Sequence, residues 1–127
     1  MSIIDKICNR LKEYPIAVFR ADPNVVTVRP TSEDGFSVAL EVVDCGYRVS
    51  FDGWHEEFSS EEDALNCFAF GLSAECRLRT VSHGGFPHQW TVECLTDGVW
   101  REGNTTGLLL FPFFLPKKVR ILQNDLI

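Results

Sequence analysis

Apolar and polar side chains alternate along the stretch from Phe36 to Phe58, which also contains turn-forming pairs at Cys45-Gly46 and Asp52-Gly53. Successive side chains of a β-strand point to opposite faces, so this alternation predicts three antiparallel strands joined by tight turns. One face then carries nearly all the large apolar side chains: Phe36, Val38, Leu40, Val42, Tyr47, Val49, Phe51, Trp54 and Phe58. A slip of one residue would turn them to solvent, so the pattern strongly favours a sheet with one buried face.

The pairing of these strands follows by counting, if both turns are two-residue loops. Asp44 then lies opposite Tyr47 in the first hairpin, and Phe51 lies opposite Trp54 in the second. Glu56 is the main polar residue on the apolar face. A carboxylate in such a position has the environment in which a pKa rises, so Glu56 is the first acid to consider for a site.

Two helices are predicted on either side of this meander. Ser2 can cap a first helix, whose apolar residues recur at helical spacing as far as Leu11. Ser59 and Glu62 match the capping box of a second helix, which is expected to end near Gly71.

A second antiparallel meander is predicted after the second helix. Its expected strands are Cys76–His83, Phe86–Leu95, Val99–Arg101 and Leu108–Phe111. A polar loop from Glu102 to Gly107 separates the last two. Residues 117–123 fit either a closing strand or a short helix.

This order of elements predicts an α+β fold: a curved antiparallel sheet of about six to eight strands, with two helices, after the N-terminus and mid-chain, packed on one side. The chain has 127 residues, with no repeat and no linker-like tract. We therefore expect residues 1–127 to form a single globular domain.

Charge and cysteine content restrict the class of partner. Asp and Glu number 18 against 12 Lys and Arg, a net charge of -6 that opposes binding to nucleic acid. The longest apolar run, Leu108 to Leu115, is far shorter than the roughly 20 residues of a membrane span, so no membrane insertion or export is expected. The five cysteines include no C-x-x-C pair, which favours reduced thiols and a cytoplasmic protein.

The stretch SHGGFPHQW, residues 82–90, raises the question of a metal or catalytic site. A two-residue Gly84-Gly85 loop places His83 and His88 diagonally on one face, whereas a three-residue loop places them on opposite faces. Hydrophobic sorting favours the second register, which sets Cys76 and Leu78 beside Val92 and Trp90. Even the first would need a third metal ligand, so we predict no metal site and no cofactor.

No nucleophile or phosphate-binding motif is present, so no catalytic residue is proposed and an enzyme is not favoured. A small-molecule cleft could still form where ionisable groups meet aromatic side chains. The residues predicted to line it are Trp54, His55, Glu56, His88 and Trp90.

The segment LLLFPFFLP, residues 108–116, is hard to place on an ordinary surface. Its prolines exclude a central strand, yet Phe113, Phe114 and Leu115 must be buried somewhere. They either close the core or form an interface with a second copy or a protein partner.

Three functional hypotheses follow. The first is a small cytoplasmic, non-catalytic binding or protein-interaction domain. The second is a small-molecule-binding protein or enzyme with a cleft in the concavity of the sheet. The third is a toxin-neutralising immunity protein, a class whose members are often small and acidic.

Overall fold

Two helices and nine strands make up the protein in the computed structural model, which describes residues Met1–Ile127. The helices are α1 (Ile3–Leu11) and α2 (Glu61–Leu72). The strands are β1 (Val18–Asp22), β2 (Val25–Arg29), β3 (Val38–Val43), β4 (Gly46–Phe51), β5 (Trp54–Phe58), β6 (Cys76–His83), β7 (Phe86–Thr96), β8 (Val99–Gly107) and β9 (Lys117–Gln123). Neither helix has the length and apolar character that crossing a membrane requires.

The strands form two antiparallel sheets. A five-stranded sheet has the order β1-β2-β3-β4-β5, and a four-stranded sheet has the order β8-β7-β6-β9. The predicted α+β class with antiparallel pairing and two helices is confirmed. The nine strands exceed the six to eight predicted, and they divide into two sheets.

One face of the five-stranded sheet is buried, as the alternation predicted. In the register, Val38 lies opposite Phe51 and Phe51 lies opposite Trp54, so their side chains share a face. α2 packs across β3, β4 and β5, and α1 packs on β2. The buried side chains that the sheet contributes are Val26, Val28, Val38, Leu40, Val49, Phe51 and Trp54.

The predicted pairing of the first hairpin is wrong by two residues. Val42, not Asp44, lies opposite Tyr47. Gly46 is therefore the first residue of β4 and not part of the turn. A Cβ at this position would collide with the carbonyl oxygen of Phe58 on β5, so the close approach of the two strands requires glycine here. The shift is even, so every side chain keeps its predicted face.

Each helix begins at a serine cap. The Asp5 N–H donates to Ser2 Oγ at 3.1 Å, as predicted for α1. In α2 the cap is Ser60, whose Oγ accepts from the Asp63 N–H at 3.3 Å, so the predicted Ser59 and Glu62 capping box is one residue early. β5 extends to Phe58 and leaves Ser59 as the connecting residue.

The second meander differs from the prediction beyond residue 101. The predicted polar loop at 102–107 is the second half of β8, paired with β7. The predicted strand at 108–111 is irregular, and residues 117–123 form β9, which pairs with β6. Alternation misled here because β8 lies at a sheet edge, where most of its side chains face water whatever their parity.

Asn124 joins the end of the chain to the core. Its amide oxygen accepts from the Phe36 N–H at 3.1 Å, and its amide nitrogen donates to the carbonyl oxygens of Phe36 at 3.0 Å and Gly71 at 2.9 Å. The side chain is buried. These three bonds fix the chain after β9 against both the β2–β3 connection and α2.

Candidate functional site

The tip of the β6–β7 hairpin is a two-residue turn followed by a bulge. Gly84 and Gly85 have φ of +59° and +81°, values that suit glycine and a tight hairpin turn. His83 therefore pairs with Phe86. Two residues further on, Val81 pairs with Gln89, which leaves His88 as the extra residue of a β-bulge.

Both registers considered from the sequence thus occur in one hairpin. The two-residue register holds near the turn, and the other holds beyond His88, where Leu78 lies opposite Val92. The favoured prediction, that the two imidazoles lie on opposite faces, is wrong. A bulge changes the parity of a strand at one residue, and no feature of the sequence marked its position.

Three rings, which we call the ring cluster, meet at this bulge: His83, His88 and Phe111. His83 Nδ1 lies 2.7 Å from His88 Nε2, so the N–H of one imidazole donates a hydrogen bond to the nitrogen of the other. Phe111 stacks on His88 with ring centroids 3.7 Å apart and planes 5° apart. His88 is only 5% exposed, and this burial lowers its pKa, as a positive charge on His83 would also do.

The ring cluster is not a metal site of the usual kind. No group of three or more His, Cys, Asp or Glu side chains lies close enough together to hold a metal ion. His83 Nδ1 and His88 Nε2 form a hydrogen bond with each other, and the third member of the ring cluster is the apolar ring of Phe111. The arrangement favours a structural histidine pair that holds Phe111 in place.

Residues Leu108–Leu115, which we call the apolar loop, project from the ring cluster into solvent. Leu109 is 93% exposed, Leu110 84%, Phe113 73% and Phe114 76%. The loop is nevertheless held at its base, because the Leu108 N–H donates to the His88 carbonyl at 2.7 Å. The exposed side chains therefore belong to a loop whose first residue is hydrogen-bonded to the hairpin tip.

The far end of the apolar loop is also attached to the hairpin. Leu115 packs so closely on Gly84 that a Cβ there would meet its side chain, and the Gly84 N–H donates to the Pro116 carbonyl at 2.9 Å. Leu115 itself is 40% exposed. Of the three residues predicted as an interface, Phe113 and Phe114 point outward and Leu115 is partly anchored.

The exposed apolar area is large for one segment. Six side chains of the apolar loop contribute to it: Leu108, Leu109, Leu110, Phe113, Phe114 and Leu115. Four of them are more than 70% exposed, and exposed apolar patches are typical of protein interaction sites.

Three of the residues predicted to line a cleft lie instead where β5 meets β8. The Trp54 indole N–H donates to the Asn104 carbonyl at 3.1 Å, and the Asn104 side-chain amide donates to the Glu56 carboxylate. The His55 N–H donates to Thr106 Oγ1 at 3.3 Å, while the His55 side chain is exposed. These bonds join the two sheets.

The remaining two predicted cleft residues are separated. Trp90 packs against Gly53 so closely that a Cβ there would collide with its ring, which places Trp90 beside the junction of the sheets. His88 belongs to the ring cluster. Ligand binding by the five residues stays a prediction, but Trp54 is 3% exposed and already packed on Phe51 with centroids 4.6 Å apart.

Glu93 is a buried carboxylate with both oxygens occupied. Arg77 Nε lies 2.6 Å from one oxygen, and an Arg79 nitrogen lies 3.1 Å from the other. Arg79 also pairs with Glu102 at 2.7 Å, and Arg77 lies over the Trp100 ring. This network gives each carboxylate oxygen a charged donor, which favours a structural role.

A groove of about 330 Å³ separates α1 from α2. Its walls are mainly apolar and include Leu11, Leu65 and Phe68, with Lys6 and Arg10 at the rim. Both cations already have partners, Lys6 with Glu61 at 2.9 Å and Arg10 with Glu13 at 3.0 Å. None of the residues predicted to line a cleft or to form an interface lines this groove.

Sequence reasoning missed the residues that organise these regions, namely Phe111, Asn104 and Asn124. Phe111 lay in a predicted strand, and its partner depends on the bulge at His88. Asn104 lies next to a second irregularity, where the β7–β8 register shifts between Thr91 and Glu93. Comparison of the chain with family models, with curated proteins and with solved structures found no match.

Proposed function

We propose that this protein is a non-catalytic interaction domain that binds a protein partner through the apolar loop. The observation that carries the proposal is the exposure of Leu109, Leu110, Phe113 and Phe114 on a segment whose base is fixed by hydrogen bonds to the hairpin. Exposing such side chains to water is unfavourable by about 25 cal/mol per Å² of apolar surface. A partner that covers the loop would remove this cost.

The charge of the molecule supports a protein rather than a nucleic acid as partner. The net charge is -6, and the basic residues Lys117, Lys118 and Arg120 flank the loop on one side only. All five cysteines are free, which supports a location in the reducing cytoplasm. A membrane is not proposed as the partner.

The small-molecule hypothesis has less support at the residues first considered. Trp54 and Glu56 are occupied by bonds between the two sheets, and His88 is occupied by His83 and Phe111. The immunity-protein hypothesis is a special case of a protein-binding domain and requires a toxin as the partner.

Site-specific photo-crosslinking tests the proposal. A photoreactive phenylalanine analogue at position 113, expressed in cells of the source organism, is expected to give one discrete protein adduct. The matched control carries the analogue at Val18, which is 56% exposed on β1 and lies outside the loop. Excess unlabelled protein should compete for the adduct, whereas the Phe113→Ser, Phe114→Ser variant should not. Two results contradict the proposal: equal labelling at positions 113 and 18, or competition for the adduct by the Phe113→Ser, Phe114→Ser variant that is as strong as competition by the unlabelled protein.

A further inference from the structure

The outer edge of β9 is an unpaired strand edge directly after the apolar loop. β9 ends the four-stranded sheet and pairs only with β6. Six of its seven residues are exposed, with Leu122 the one that is buried. Such an edge is a template on which another extended chain can add.

The ladder shows which backbone groups point to this edge. The Gly84 N–H donates to the Pro116 carbonyl, and hydrogen-bonded pairs alternate along an antiparallel ladder. Val119 and Ile121 therefore direct their N–H and C=O groups away from β6. The next residue of this set is Gln123, whose N–H donates outward to the Asp34 carbonyl at 2.7 Å. The chain thus already makes one hydrogen bond on the open side.

The side chains of β9 give the edge two chemically different faces. Lys118, Arg120 and Leu122 are alternate residues of β9, so their side chains share a face. They lie opposite Ser82, Thr80 and Leu78 of β6. Val119 and Ile121 lie on the other face and are 49% and 42% exposed. An added strand would therefore meet positive charge on one face and apolar surface on the other.

The registers open to a second copy of this chain are unfavourable. In an antiparallel twofold pair of β9 strands centred on Val119, Lys118 of one copy would lie opposite Arg120 of the other, and centring on Arg120 would place the two Arg120 side chains opposite each other. Centring on Ile121 avoids these charge pairs but requires the Gln123 N–H, which already donates to the Asp34 carbonyl. Like charges directly opposite each other destabilise a strand pair, so an acidic strand fits better.

We infer that the partner adds a strand to β9, and that this strand alternates acidic residues, facing Lys118 and Arg120, with apolar residues, facing Val119 and Ile121. Lys118 forms no ion pair within the chain, whereas Arg120 donates to the Glu33 carbonyl and lies 3.7 Å from the Asp34 carboxylate, so Lys118 is the freer of the two cations. The inference rests on the proposed function, since the apolar loop leads directly into β9 and the same partner would cover both.

Binding of a short peptide tests the inference. The probe is a fluorescein-labelled, end-capped Gly-Val-Glu-Val-Glu-Val-Gly peptide, and the control peptide has Lys in place of each Glu. We expect saturable binding of the acidic peptide only, with slower hydrogen exchange at the Val119 and Ile121 amides. Val119→Pro removes an outward N–H without touching the β6 ladder, and should weaken binding by about tenfold.

Lys118→Glu provides a second test that does not depend on a proline being tolerated. It should also weaken binding by about tenfold, whereas Arg101→Glu on the opposite edge strand should have no effect. Equal binding of the two peptides, no saturable binding, or full affinity in Lys118→Glu overturns the inference. So does a dimer of the free protein that Val119→Pro dissociates, or Lys118-dependent binding to phosphatidylserine vesicles without peptide binding.

The two proposals fail separately. If the adduct at position 113 forms but the acidic peptide does not bind, the strand-addition inference is wrong and the proposed function stands. If neither the adduct nor peptide binding occurs, the proposal that this protein is an interaction domain is wrong.

Discussion

At the scale of single residues, His88 is the residue on which the geometry of the candidate surface depends. It is the extra residue of the bulge, its carbonyl accepts the Leu108 N–H, and its ring contacts those of His83 and Phe111. One residue therefore connects the hairpin tip to the base of the apolar loop. The groups that influence its charge are His83 and Lys117, both of which disfavour a proton on His88.

The lowered pKa of His88 predicts a dependence of stability on pH. Above the ordinary histidine pKa of about 6.5 the group is neutral in both states and contributes no pH dependence. As the pH falls below that value, the unfolded chain binds a proton that the folded chain resists, so the free energy of unfolding decreases. Urea unfolding between about pH 8 and pH 5.5 should show a smaller decrease for His88→Gln than for the original protein. An identical decrease in both contradicts this account.

The cysteines should differ strongly in reactivity, because the thiolate is the nucleophile. Burial raises the pKa of Cys67 to about 12 and raises that of Cys76 further, whereas Cys45 is exposed in a turn. Brief alkylation of the native protein, mapped by mass spectrometry, should modify Cys45 first and Cys67 and Cys76 last. The differences should disappear in urea. Labelling of Cys76 in the native protein as fast as Cys45 would show that the β6 core is not closed.

At the scale of elements, the sequence was most informative where one face is buried and the other is wet. The faces of the strands up to Phe58 follow from periodicity, because a change of parity there would expose the core. The same reasoning missed the second half of β8 and left residues 117–123, which form β9, open between a strand and a helix; both are edge strands with exposure on both faces. It also failed at His88, because a bulge is a local choice of backbone that hydrophobic patterning does not record.

The packing of α2 on β4 gives a prediction at this scale. Gly71 lies within α2, and a Cβ there would come within 2.6 Å of Phe51 Cζ. Alanine is about 1 kcal/mol better than glycine in an exposed helix, but overpacking a rigid core typically costs about 1–3 kcal/mol. We expect Gly71→Ala to be destabilising in urea unfolding.

A double-mutant cycle isolates the contact between the two residues. In a Phe51→Leu background the ring is gone, so Gly71→Ala should be neutral or stabilising. If Gly71→Ala stabilises the original protein, helix propensity outweighs the contact and the packing described for α2 and β4 is wrong.

At the scale of the whole molecule, the two sheets and two helices enclose one core, and the apolar loop lies outside it. The core draws on α1, α2 and both sheets, and none of its 19 buried apolar residues comes from residues 108–115. The loop is thus not needed to complete the interior. The apolar composition of the loop is evident from the sequence. Whether the loop closes the core or stays outside it depends on its attachment to the β6–β7 hairpin tip, which the sequence does not show.

The central claim is that Phe113 and Phe114 do not belong to the core of their own chain. Urea unfolding of the Phe113→Ser, Phe114→Ser variant tests it most directly, with Phe68→Ser as the buried control in α2. We predict a free energy of unfolding within about 0.5 kcal/mol of the original protein for the loop variant, as for surface substitutions in general. Phe68→Ser should lose about 3–5 kcal/mol. A loss of that size in the loop variant would show that the two rings are buried in solution and would contradict the account.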